Sequence, residues 1–537
     1  MSVRRVMGTE TEYAVSRPGD ARANPVRLSF DVVAAADDDG TRGGIRWDYR
    51  QEDPVNDARG HRLERAAARP DMLTDAPQLH ITNIIAPNGG RVYVDHAHPE
   101  YSAPETTNPF EAVRYDHAGD LIMYRAAQEA SRRTDNPVVL YRNNVDGKGA
   151  CWGTHENYMM LRSVPFDQVA ALMTAHLVTR QLYTGSGRVG LGERCEHAGF
   201  QLSQRADYIH TRVGLQTTFD RPIVNTRDES HSTGEYRRLH VIVGDANRMD
   251  VPQALKLGTT SLLLWLLEVA SEVSYDVNTL LSQVTLDDPV AAMHEVSHDL
   301  TLDIPLQLAD GGMMTAWQIQ TRLLTAVFEV AAMRYGTDSQ GTPIWPDVQT
   351  RRIIGLWRQA LADVAAVRHA NDDTRLTMTD EGSRLEWLLK WQLLERMRRR
   401  LGARPGREAS WSDPSIAALD LRWAALDPKI SLFEAVKART ERLDDRDADA
   451  LVAEAAVQAP ETTRAWLRAH IVEGFTPQVV AASWSRLTVR EPDGSLFGFD
   501  MSDPLSWTRA RCEHAVHDGL TQGKSAADVL RDIIADR

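Results

Sequence analysis

The chain reads RVYVDHAHPE at residues 91–100, and this stretch predicts the centre of the fold. Residues two apart on a strand point to the same face, roughly 6.5–7 Å apart. Arg91, Tyr93 and Asp95 therefore share one face of a predicted strand, while the two valines between them face the core. The stretch indicates a strand that is buried on one side and carries reactive groups on the other.

Two further stretches repeat this pattern of carboxylates. They read GTETEY at residues 8–13 and HENY at residues 155–158. On a strand, Glu10 and Glu12 share a face in the same way. Burying so many like charges together is prohibitive unless cations compensate them. Together the three stretches predict a cavity for a divalent metal and nucleotide phosphate, with a reactive Asp95 beside it.

The composition is typical of a large soluble enzyme. The 537 residues are 42% hydrophobic and 25% charged, within the globular range. A net charge of −14 argues against a general binder of nucleic acid or of acidic membranes. The three cysteines are scattered, which fits a reducing compartment. No secretion signal is visible and the apolar stretch at residues 262–267 is too short to span a bilayer, so we expect a cytoplasmic protein.

The order of secondary-structure patterns predicts an α+β architecture. Strand patterns dominate the first part of the chain, and helical patterns dominate beyond Pro252. The first 30 or so residues are predicted to form a strand followed by a turn at Pro18 and Gly19. A helix is predicted from Asn108, its N-cap, to Arg133.

The domain organisation is predicted from changes in this pattern. Residues 37–76 lack periodicity over a length that is unusual for a loop, so we expect a mobile functional segment there. We predict a catalytic domain at residues 1–443, with 37–76 as a mobile insertion. A small C-terminal domain is predicted at residues 444–537.

Hard oxygen ligands at the predicted site suit Mg²⁺, which shares its coordination with phosphates. The candidate metal ligands are Glu10, Glu12, Tyr93 and Glu100, with His155 and His240 as possible imidazole ligands. Arg205, Arg227 and Arg237 lie on or beside later strand candidates and could clamp phosphate or a carboxylate. Each group also has an ordinary interpretation as a solvated strand face, a structural histidine or an ion-pair partner.

Residues 185–190 read GSGRVG and match the Gly-x-Gly-x-x-Gly string of dinucleotide-binding proteins. The string follows a helical pattern rather than a strand, and a loop pattern rather than a helix follows it. The structural context of that fingerprint is therefore absent. We interpret the stretch as a flexible loop.

Residues 294–298 read HEVSH and match the His-Glu-x-x-His zinc motif. At helical spacing both imidazoles share a face, with Glu295 as a potential base. The predicted helix is short because Asp299 and Pro305 follow closely, and the sequence shows no convincing third zinc ligand. A zinc metalloprotease using His294 and His298 is therefore kept as a remote alternative.

Motifs along the chain carry a family resemblance. They read MGTETEY at 7–13, YVDHAHPEYSAPE at 93–105, NNVDGKGA at 143–150, GFQLSQR at 199–205 and NTRDE at 225–229. They resemble the depupylase/Pup deamidase family, which is homologous to the Pup ligase and lies within the glutamine-synthetase-like carboxylate–amine ligase superfamily. DHAHPE and the long segment before it resemble the depupylase branch. The resemblance implies a glutamine-synthetase-like curved antiparallel sheet packed with helices, plus a small C-terminal domain.

The resemblance also implies a reaction on Pup, the prokaryotic ubiquitin-like protein. The C-terminal Gln of Pup is deamidated to Glu, and the isopeptide bond between Pup and a lysine of a pupylated protein is hydrolysed. ATP, or ADP plus phosphate, and Mg²⁺ are implied cofactors, with the nucleotide not consumed stoichiometrically. The implied partners are Pup and pupylated proteins of the Pup-proteasome system, with no nucleic acid and no membrane.

The same match implies roles for individual residues. Glu10, Tyr93 and Glu100 are implied metal ligands, Arg91 and Trp484 implied nucleotide contacts, and Asp95 the implied catalytic carboxylate. Asp95 could attack the carbonyl and give a short-lived anhydride, or act as a general base that activates water. A Pup ligase that consumes ATP and a catalytically silent Pup-binding adaptor are the alternatives within this family.

Overall fold

The computed structural model describes residues 3–37, 40–64, 83–403, 406, 409–444 and 447–535. The strands are β1 (Met7–Glu12), β2 (Ala14–Ser16), β3 (Arg46–Trp47), β4 (Asn83–Ile85), β5 (Arg91–Asp95), β6 (His98–Ser102), β7 (Val139–Tyr141), β8 (Thr154–Leu161), β9 (Arg188–Leu191), β10 (His197–Gln201), β11 (Ile209–Gly214), β12 (Arg221–Asn225), β13 (Tyr236–Val241), β14 (Pro305–Gln307), β15 (Met313–Thr315), β16 (Val479–Ala482), β17 (Arg486–Arg490) and β18 (Leu496–Asp500).

The α-helices occupy most of the second half of the chain. They are α1 (Pro25–Ala35), α2 (Pro109–Thr134), α3 (Phe166–Thr179), α4 (Gln181–Thr184), α5 (Asp250–Val269), α6 (Val277–Val284), α7 (Pro289–His298), α8 (Ala316–Tyr335), α9 (Val348–Arg368), α10 (Asp372–Arg375), α11 (Thr379–Gly382), α12 (Glu386–Gly402), α13 (Pro414–Ala424), α14 (Leu432–Val436), α15 (Ala448–Ala455), α16 (Ala465–Gly474), α17 (Arg509–Gln522) and α18 (Ala526–Ala535).

One antiparallel sheet, the main sheet, positions the predicted site. Its strands run in the order β13-β8-β1-β6-β5-β4, and each neighbouring pair is antiparallel. The register places Glu10 opposite His155. Glu12 lies opposite Glu100, which in turn lies opposite Tyr93. Because side chains alternate between faces along each strand, these residues lie on one face of the sheet.

Helices cover the other face of the main sheet. α1 packs against β5 and β6, α2 against β1 and β6, and α5 against β8. Val92, Tyr101 and Tyr158 point into this interface and are at most 1% exposed. The apolar stretch at residues 262–267 lies within α5 and is buried. The sheet is therefore anchored on a hydrophobic core while its polar side chains project from the opposite face.

The RVYVDHAHPE stretch forms a tight hairpin of β5 and β6. Asp95 pairs with His98 across the strands, which leaves His96 and Ala97 in the turn. His96 has a φ of 52°, in the left-handed region that histidine enters more often than most residues. The Ala97 N–H donates to the backbone oxygen of Asp95 at 2.6 Å. Asp95 is therefore fixed at the tip of the hairpin.

A second sheet connects the C-terminal part of the chain to its beginning. Its strands run in the order β18-β17-β16-β3, with β3 parallel to β16. Its core includes Trp466, Leu487 and Phe499. Within the predicted insertion, β3 thus pairs with a C-terminal strand, and Val55 packs against Leu215. Residues 38–39 and 65–76 lie outside the described residues.

One local prediction was incomplete and another needs correction. The turn predicted at Pro18 and Gly19 is confirmed, with the Asp20 N–H donating to the backbone oxygen of Arg17 at 3.1 Å. The helix α1 that follows, which begins at Pro25 with the Asn24 side chain as its N-cap, was not predicted. The stretch at residues 185–190 is not wholly a loop, because β9 begins at Arg188 and pairs with β10. In both places, hydrogen bonds ordered a segment that lacked a strong periodic pattern.

Candidate active site on the polar face of the main sheet

The polar face of the main sheet borders a cavity of about 340 Å³. Alternation along the strands aims side chains two residues apart into the same space. The predicted site residues that line this cavity are Glu10, Arg91, Tyr93, Asp95, Glu100, His155, Arg227, His240 and Trp484. Segments that are distant in sequence thus bring these side chains together.

Two groups of metal-ligand side chains lie at this cavity within the described part of the chain. The histidine cluster consists of Glu10, His155 and His240, and the carboxylate cluster consists of Glu12, Asp95 and Glu100. Within each cluster, the candidate ligand atoms lie within 4.8 Å of one another. Glu12, which does not line the cavity itself, joins the site through the carboxylate cluster.

Hydrogen bonds orient the histidine cluster. Asn157 donates through Nδ2 to Glu10 Oε1 at 2.9 Å, and its Oδ1 lies 2.9 Å from Nδ1 of His240. That amide oxygen can only accept, so His240 carries a proton on Nδ1. Nδ1 of His155 lies 3.2 Å from Glu10 Oε2. The His155 ring rests against Gly153, where an added β-carbon would lie 2.2 Å from Nε2, so the close approach requires glycine.

The charges in the histidine cluster favour an ionised Glu10. Burial raises the pKa of this carboxyl, but the hydrogen bond with His155 and the charges of His240, His155 and Arg238 outweigh burial, so its pKa is lowered. Burial and the charge of Arg238 lower the pKa of His240 well below its usual value. A carboxylate beside a neutral imidazole is a donor set that can hold a divalent cation.

The carboxylate cluster crowds negative charges into a small volume. Burial and the charges of neighbouring carboxylates, with Asp95 foremost, raise the pKa of Glu100 well above its usual value. Burial and the charge of Glu100 likewise raise the pKa of Tyr93. Glu100 must therefore hold a proton or face a cation at neutral pH. These oxygen donors fit Mg²⁺, which prefers hard oxygen ligands.

Asp95 projects from the hairpin tip with its side chain 39% exposed. Its Oδ2 lies 2.8 Å from Nδ1 of His96. Desolvation raises the pKa of this carboxyl, but the hydrogen bond with His96 and the charges of His155 and Arg227 outweigh desolvation, so its pKa is lowered. Asp95 is thus an ionised and accessible carboxylate, as a nucleophile or a general base requires.

An aromatic wall of Tyr49, Tyr93 and Trp484 lines the cavity around Arg91, and Trp47 packs against Arg91 and Trp484 without lining the cavity itself. The guanidinium carbon of Arg91 lies 4.1 Å from the ring centroid of Trp47 and 3.9 Å from that of Tyr93. Arg91 also donates to the hydroxyl of Tyr49 at 3.1 Å. Trp484 meets Trp47 edge-on, with their ring centroids 5.2 Å apart. Flat aromatic faces beside a guanidinium suit a nucleotide, whose base stacks and whose phosphates are anionic.

Two of the predicted arginines lie away from the cavity wall. Arg205 is 1% exposed, and its guanidinium donates to the backbone oxygen of Trp152. Arg237 donates to the backbone oxygen of Arg162 at 2.9 Å. The structure therefore brings Arg227 to the cavity but not Arg205 or Arg237.

Sequence reasoning missed several side chains that build the site. Arg238 and Asn157 each lie two residues from a predicted ligand, His240 and His155 respectively. The same strand alternation could have identified both. Tyr49 comes from the 37–76 segment, where no periodicity indicated contact with the cavity.

The HEVSH stretch lies on α7, and its histidines are engaged in other contacts. His294 Nε2 lies 3.0 Å from the backbone oxygen of Ile209. His298 Nε2 lies 2.7 Å from Oδ1 of Asp207. Across the described ranges, neither histidine belongs to a cluster with three metal-ligand side chains. The geometry therefore favours a structural role for this stretch.

Comparison with known sequences covers most of the chain. The profile of the Pup-ligase protein family matches residues 5–488. The chain belongs to the Pup-ligase family. This family member is 40% identical to a protein of Acidothermus cellulolyticus named depupylase, over 99% of this chain and 100% of that relative.

Other relatives of this Pup-ligase family member carry two different names. It is 39% identical to a Mycobacterium tuberculosis protein named Pup deamidase/depupylase, over 99% of this chain and 100% of the relative. It is 31% identical to a Corynebacterium diphtheriae protein named Pup–protein ligase, over 96% of this chain and 94% of the relative. The identity is thus higher to the relatives named as depupylases.

Solved Pup ligases share the fold of this family member. The ligase PafA in complex with the prokaryotic ubiquitin-like protein Pup matches with a TM-score of 0.74 and 28% identity, over 98% of this chain and 94% of that chain. PafA in complex with ADP matches with a TM-score of 0.68 and 28% identity, over 87% of this chain and 96% of that chain. The predicted α+β fold class is confirmed. None of the described helices is long and apolar enough to cross a membrane.

Proposed function

We propose that this chain is a Pup deamidase and depupylase that uses a bound nucleotide and Mg²⁺. It hydrolyses the side-chain amide of the C-terminal Gln of Pup to give Glu. It also cleaves the isopeptide bond between that position of Pup and a lysine of a pupylated protein. Both bonds are amides of the same carbonyl, so one site serves both reactions.

Full-length similarity to relatives named as depupylases carries this proposal. Identity is 40% to the A. cellulolyticus depupylase and 31% to the C. diphtheriae Pup–protein ligase. The long 37–76 segment also resembles the depupylase branch, and it supplies Tyr49 to the cavity wall. Hydrolysis is therefore favoured over ligation.

Asp95 is the proposed reacting carboxylate. In one route it attacks the amide carbonyl, the amine leaves as ammonia or lysine, and water hydrolyses the resulting anhydride. In the other route it takes a proton from a water molecule that attacks the carbonyl directly. Arg227 lines the same cavity and can stabilise the negative charge that develops on the carbonyl oxygen in either route.

The two ligand clusters are the proposed Mg²⁺ site. The proposed ligands are Glu10, Glu12, Tyr93, Glu100, His155 and His240. A bound divalent cation neutralises the carboxylates and polarises oxygen atoms of phosphate or substrate. The raised pKa of Glu100 supports the assignment, because it reflects negative charge that the protein leaves uncompensated.

ATP, or ADP plus phosphate, is the proposed nucleotide, and hydrolysis of Pup does not consume it. Support comes from the PafA structure that contains ADP. Arg91, Trp484 and Arg227 are the proposed contacts because all three line the cavity. Arg205 lies outside this wall and supports the Trp152 backbone instead.

We also propose a cytoplasmic location and two domains. Cys151, Cys195 and Cys512 are free thiols, which suits a reducing compartment. The proposed catalytic domain comprises residues 1–443, and the proposed C-terminal domain comprises residues 444–537.

Intact-mass measurement of Pup ending in Gln tests the proposal. Pup is incubated with the protein and Mg²⁺, with and without ATP, and we expect conversion of amide to acid only when nucleotide is present. Attachment of Pup ending in Glu to lysine, with accumulation of ADP, would identify a ligase instead. Binding of Pup without a change of mass would identify an adaptor. Hydrolysis that needs zinc but no nucleotide would identify a metalloprotease.

A further inference from the structure

The turn of the β5–β6 hairpin places His96 beside Asp95. Nδ1 of His96 lies 2.8 Å from Oδ2 of Asp95, and its Nε2 lies 3.5 Å from Oγ1 of Thr218. The imidazole is 41% exposed and lines the cavity. It therefore contacts the proposed reacting carboxylate from within the site and not from the hydrophobic core.

The hydrogen bond distinguishes the two oxygens of Asp95. An ionised carboxylate can only accept, so His96 carries its proton on Nδ1 and donates it to Oδ2. The other oxygen, Oδ1, has no hydrogen-bond partner among the residues that the structure describes. One oxygen is thus held by the protein, and the other is available to substrate or water.

The turn by itself does not account for an imidazole at this position. His96 has a φ of 52°, which glycine adopts without steric cost. The hydrogen bond that closes the turn joins the Ala97 N–H to the backbone oxygen of Asp95 and involves no side chain. The side chain of His96 therefore contributes contacts, among them those with Asp95 and Thr218, and does not determine the shape of the turn.

We propose that His96 is a positioning residue for Asp95, holding Oδ2 so that Oδ1 faces the scissile carbonyl. The inference rests on the proposed function, in which Asp95 reacts with that carbonyl or with the attacking water. Without the bond, the carboxylate can rotate about its two side-chain torsions. Misplacement of a reacting group by about 1 Å lowers rate by about 100-fold. Restricting the rotation therefore raises kcat.

Substitutions can separate the hydrogen bond from the turn. His96→Gly removes the imidazole and suits the backbone, whereas His96→Asn keeps an N–H donor near the position of Nδ1 and tolerates the left-handed region. Ser274→Gly is the matched control, because Ser274 is another exposed residue with positive φ, 56°, and does not line the cavity. The activity measured is nucleotide-dependent deamidation of Pup ending in Gln.

We expect His96→Gly to lower kcat by about 10- to 100-fold with little change in KM. We expect His96→Asn to recover most of that loss and Ser274→Gly to match the unsubstituted chain. A purely structural role would lower Tm for His96→Gly and leave kcat per folded molecule unchanged. That result would overturn the inference, as would a His96→Asn variant no more active than His96→Gly. If the unsubstituted chain itself leaves Pup unchanged, the proposed function fails, and the inference fails with it.

Discussion

Asp95 and Glu100 are neighbouring carboxylates whose pKa values shift in opposite directions. The hydrogen bond with His96 and nearby cationic groups lower the pKa of Asp95 against the effect of desolvation. Burial and adjacent carboxylates raise the pKa of Glu100. Opposite shifts within one cluster separate the roles of two acids. In the proposed function, the ionised Asp95 is therefore the reacting group, and Glu100 is the group that needs a cation.

Asp95→Asn is the first prediction at the residue scale. The amide keeps the shape of the side chain but can serve neither as nucleophile nor as base, so we expect deamidation to fall by at least about 100- to 10,000-fold. Nucleotide binding, measured by calorimetry, should be retained because the aromatic wall is intact. Asp167→Asn, on the exposed first turn of α3, is the control. A near-normal rate for Asp95→Asn would contradict the central assignment.

Glu100→Gln tests the metal site. Removing one crowded charge should preserve or raise the metal-free Tm, and it should weaken the stabilisation that Mg²⁺ confers. A ligand at 100 times its Kd stabilises a protein by about 2.7 kcal/mol. The measurement is Tm with and without Mg²⁺, and the exposed Glu473→Gln is the control. Equal Mg²⁺ stabilisation of Glu100→Gln and the unsubstituted chain would show that Glu100 is not a ligand.

Individual elements differ in how well local sequence predicted them. The helix predicted from Asn108 is confirmed as α2, with Asn108 Oδ1 accepting from the Glu111 N–H at 3.0 Å. The helix α1 was missed although Asn24 and Pro25 form the same capping signal. The signal stood out at α2 because a long periodic pattern followed it. α1 is only 11 residues long.

The helix α7 supplies a prediction about the zinc motif. His294→Ala removes the contact with the Ile209 backbone and should reduce stability by about 1 kcal/mol. Activity per folded molecule should not change, and a zinc chelator should have no effect. The measurements are the rate of Pup deamidation with Mg²⁺ and ATP and the Tm of the same variant. Loss of activity in parallel with loss of bound zinc would instead support a metalloprotease.

At the scale of the whole molecule, residues 40–64 connect the C-terminal sheet to the site. Trp47 on β3 is 7% exposed and contacts both Arg91 and Trp484. It pairs with Ala482 of β16 in the C-terminal sheet. Packing of the C-terminal part therefore shapes the cavity wall around Arg91.

Trp47→Ala should weaken nucleotide binding as well as stability. The cavity that it leaves costs about 3–5 kcal/mol, and Arg91 loses one of its aromatic faces. Calorimetric titration with ATP and denaturant unfolding are the measurements. Trp47→Phe keeps an aromatic ring, so its nucleotide affinity and stability should lie between those of Trp47→Ala and those of the unsubstituted chain. Unchanged nucleotide affinity in folded Trp47→Ala would show that Trp47 does not support Arg91 and Trp484 in nucleotide binding.

Glu105 links the segment after β6 to α16. Its carboxylate lies 2.7 Å from Nε of Arg464 and 2.6 Å from Nη2 of Arg468. Burial raises the pKa of Glu105, but the charges of Arg468 and Arg464 lower it to about 2. An unfolded Glu has a pKa of about 4.3. The stabilisation is therefore present above about pH 4.3 and is lost as pH falls towards about 2.

Glu105→Gln should destabilise the protein at pH 7 by about 3–5 kcal/mol, because it leaves buried guanidinium groups without their anion. The difference from the unsubstituted chain should shrink as the solution is acidified below about pH 4. Urea unfolding across this range is the measurement. Glu461→Gln, which breaks an exposed ion pair with Arg509, is the control and should cost less than about 1 kcal/mol. A pH-independent difference would contradict the role of charge.

The sequence by itself determined which side chains share a strand face. Strand alternation has a period of two and depends only on local backbone geometry, so Arg91, Tyr93 and Asp95 could be assigned to one face before their neighbours were known. The three carboxylate-bearing stretches were likewise found from residue type and spacing. These predictions concern positions a few residues apart.

Only the tertiary structure decided which side chains from distant segments lie next to one another. Strand register brought Glu10 opposite His155, and the C-terminal sheet brought Trp47 to Trp484. The tertiary structure also places Arg205 away from the cavity wall, although the residue type and spacing of Arg205 were as suitable as those of Arg227. Strand register and packing join segments that are far apart in sequence, and the packing energy of the whole core determines which segments pair. Local periodicity does not encode those long-range contacts.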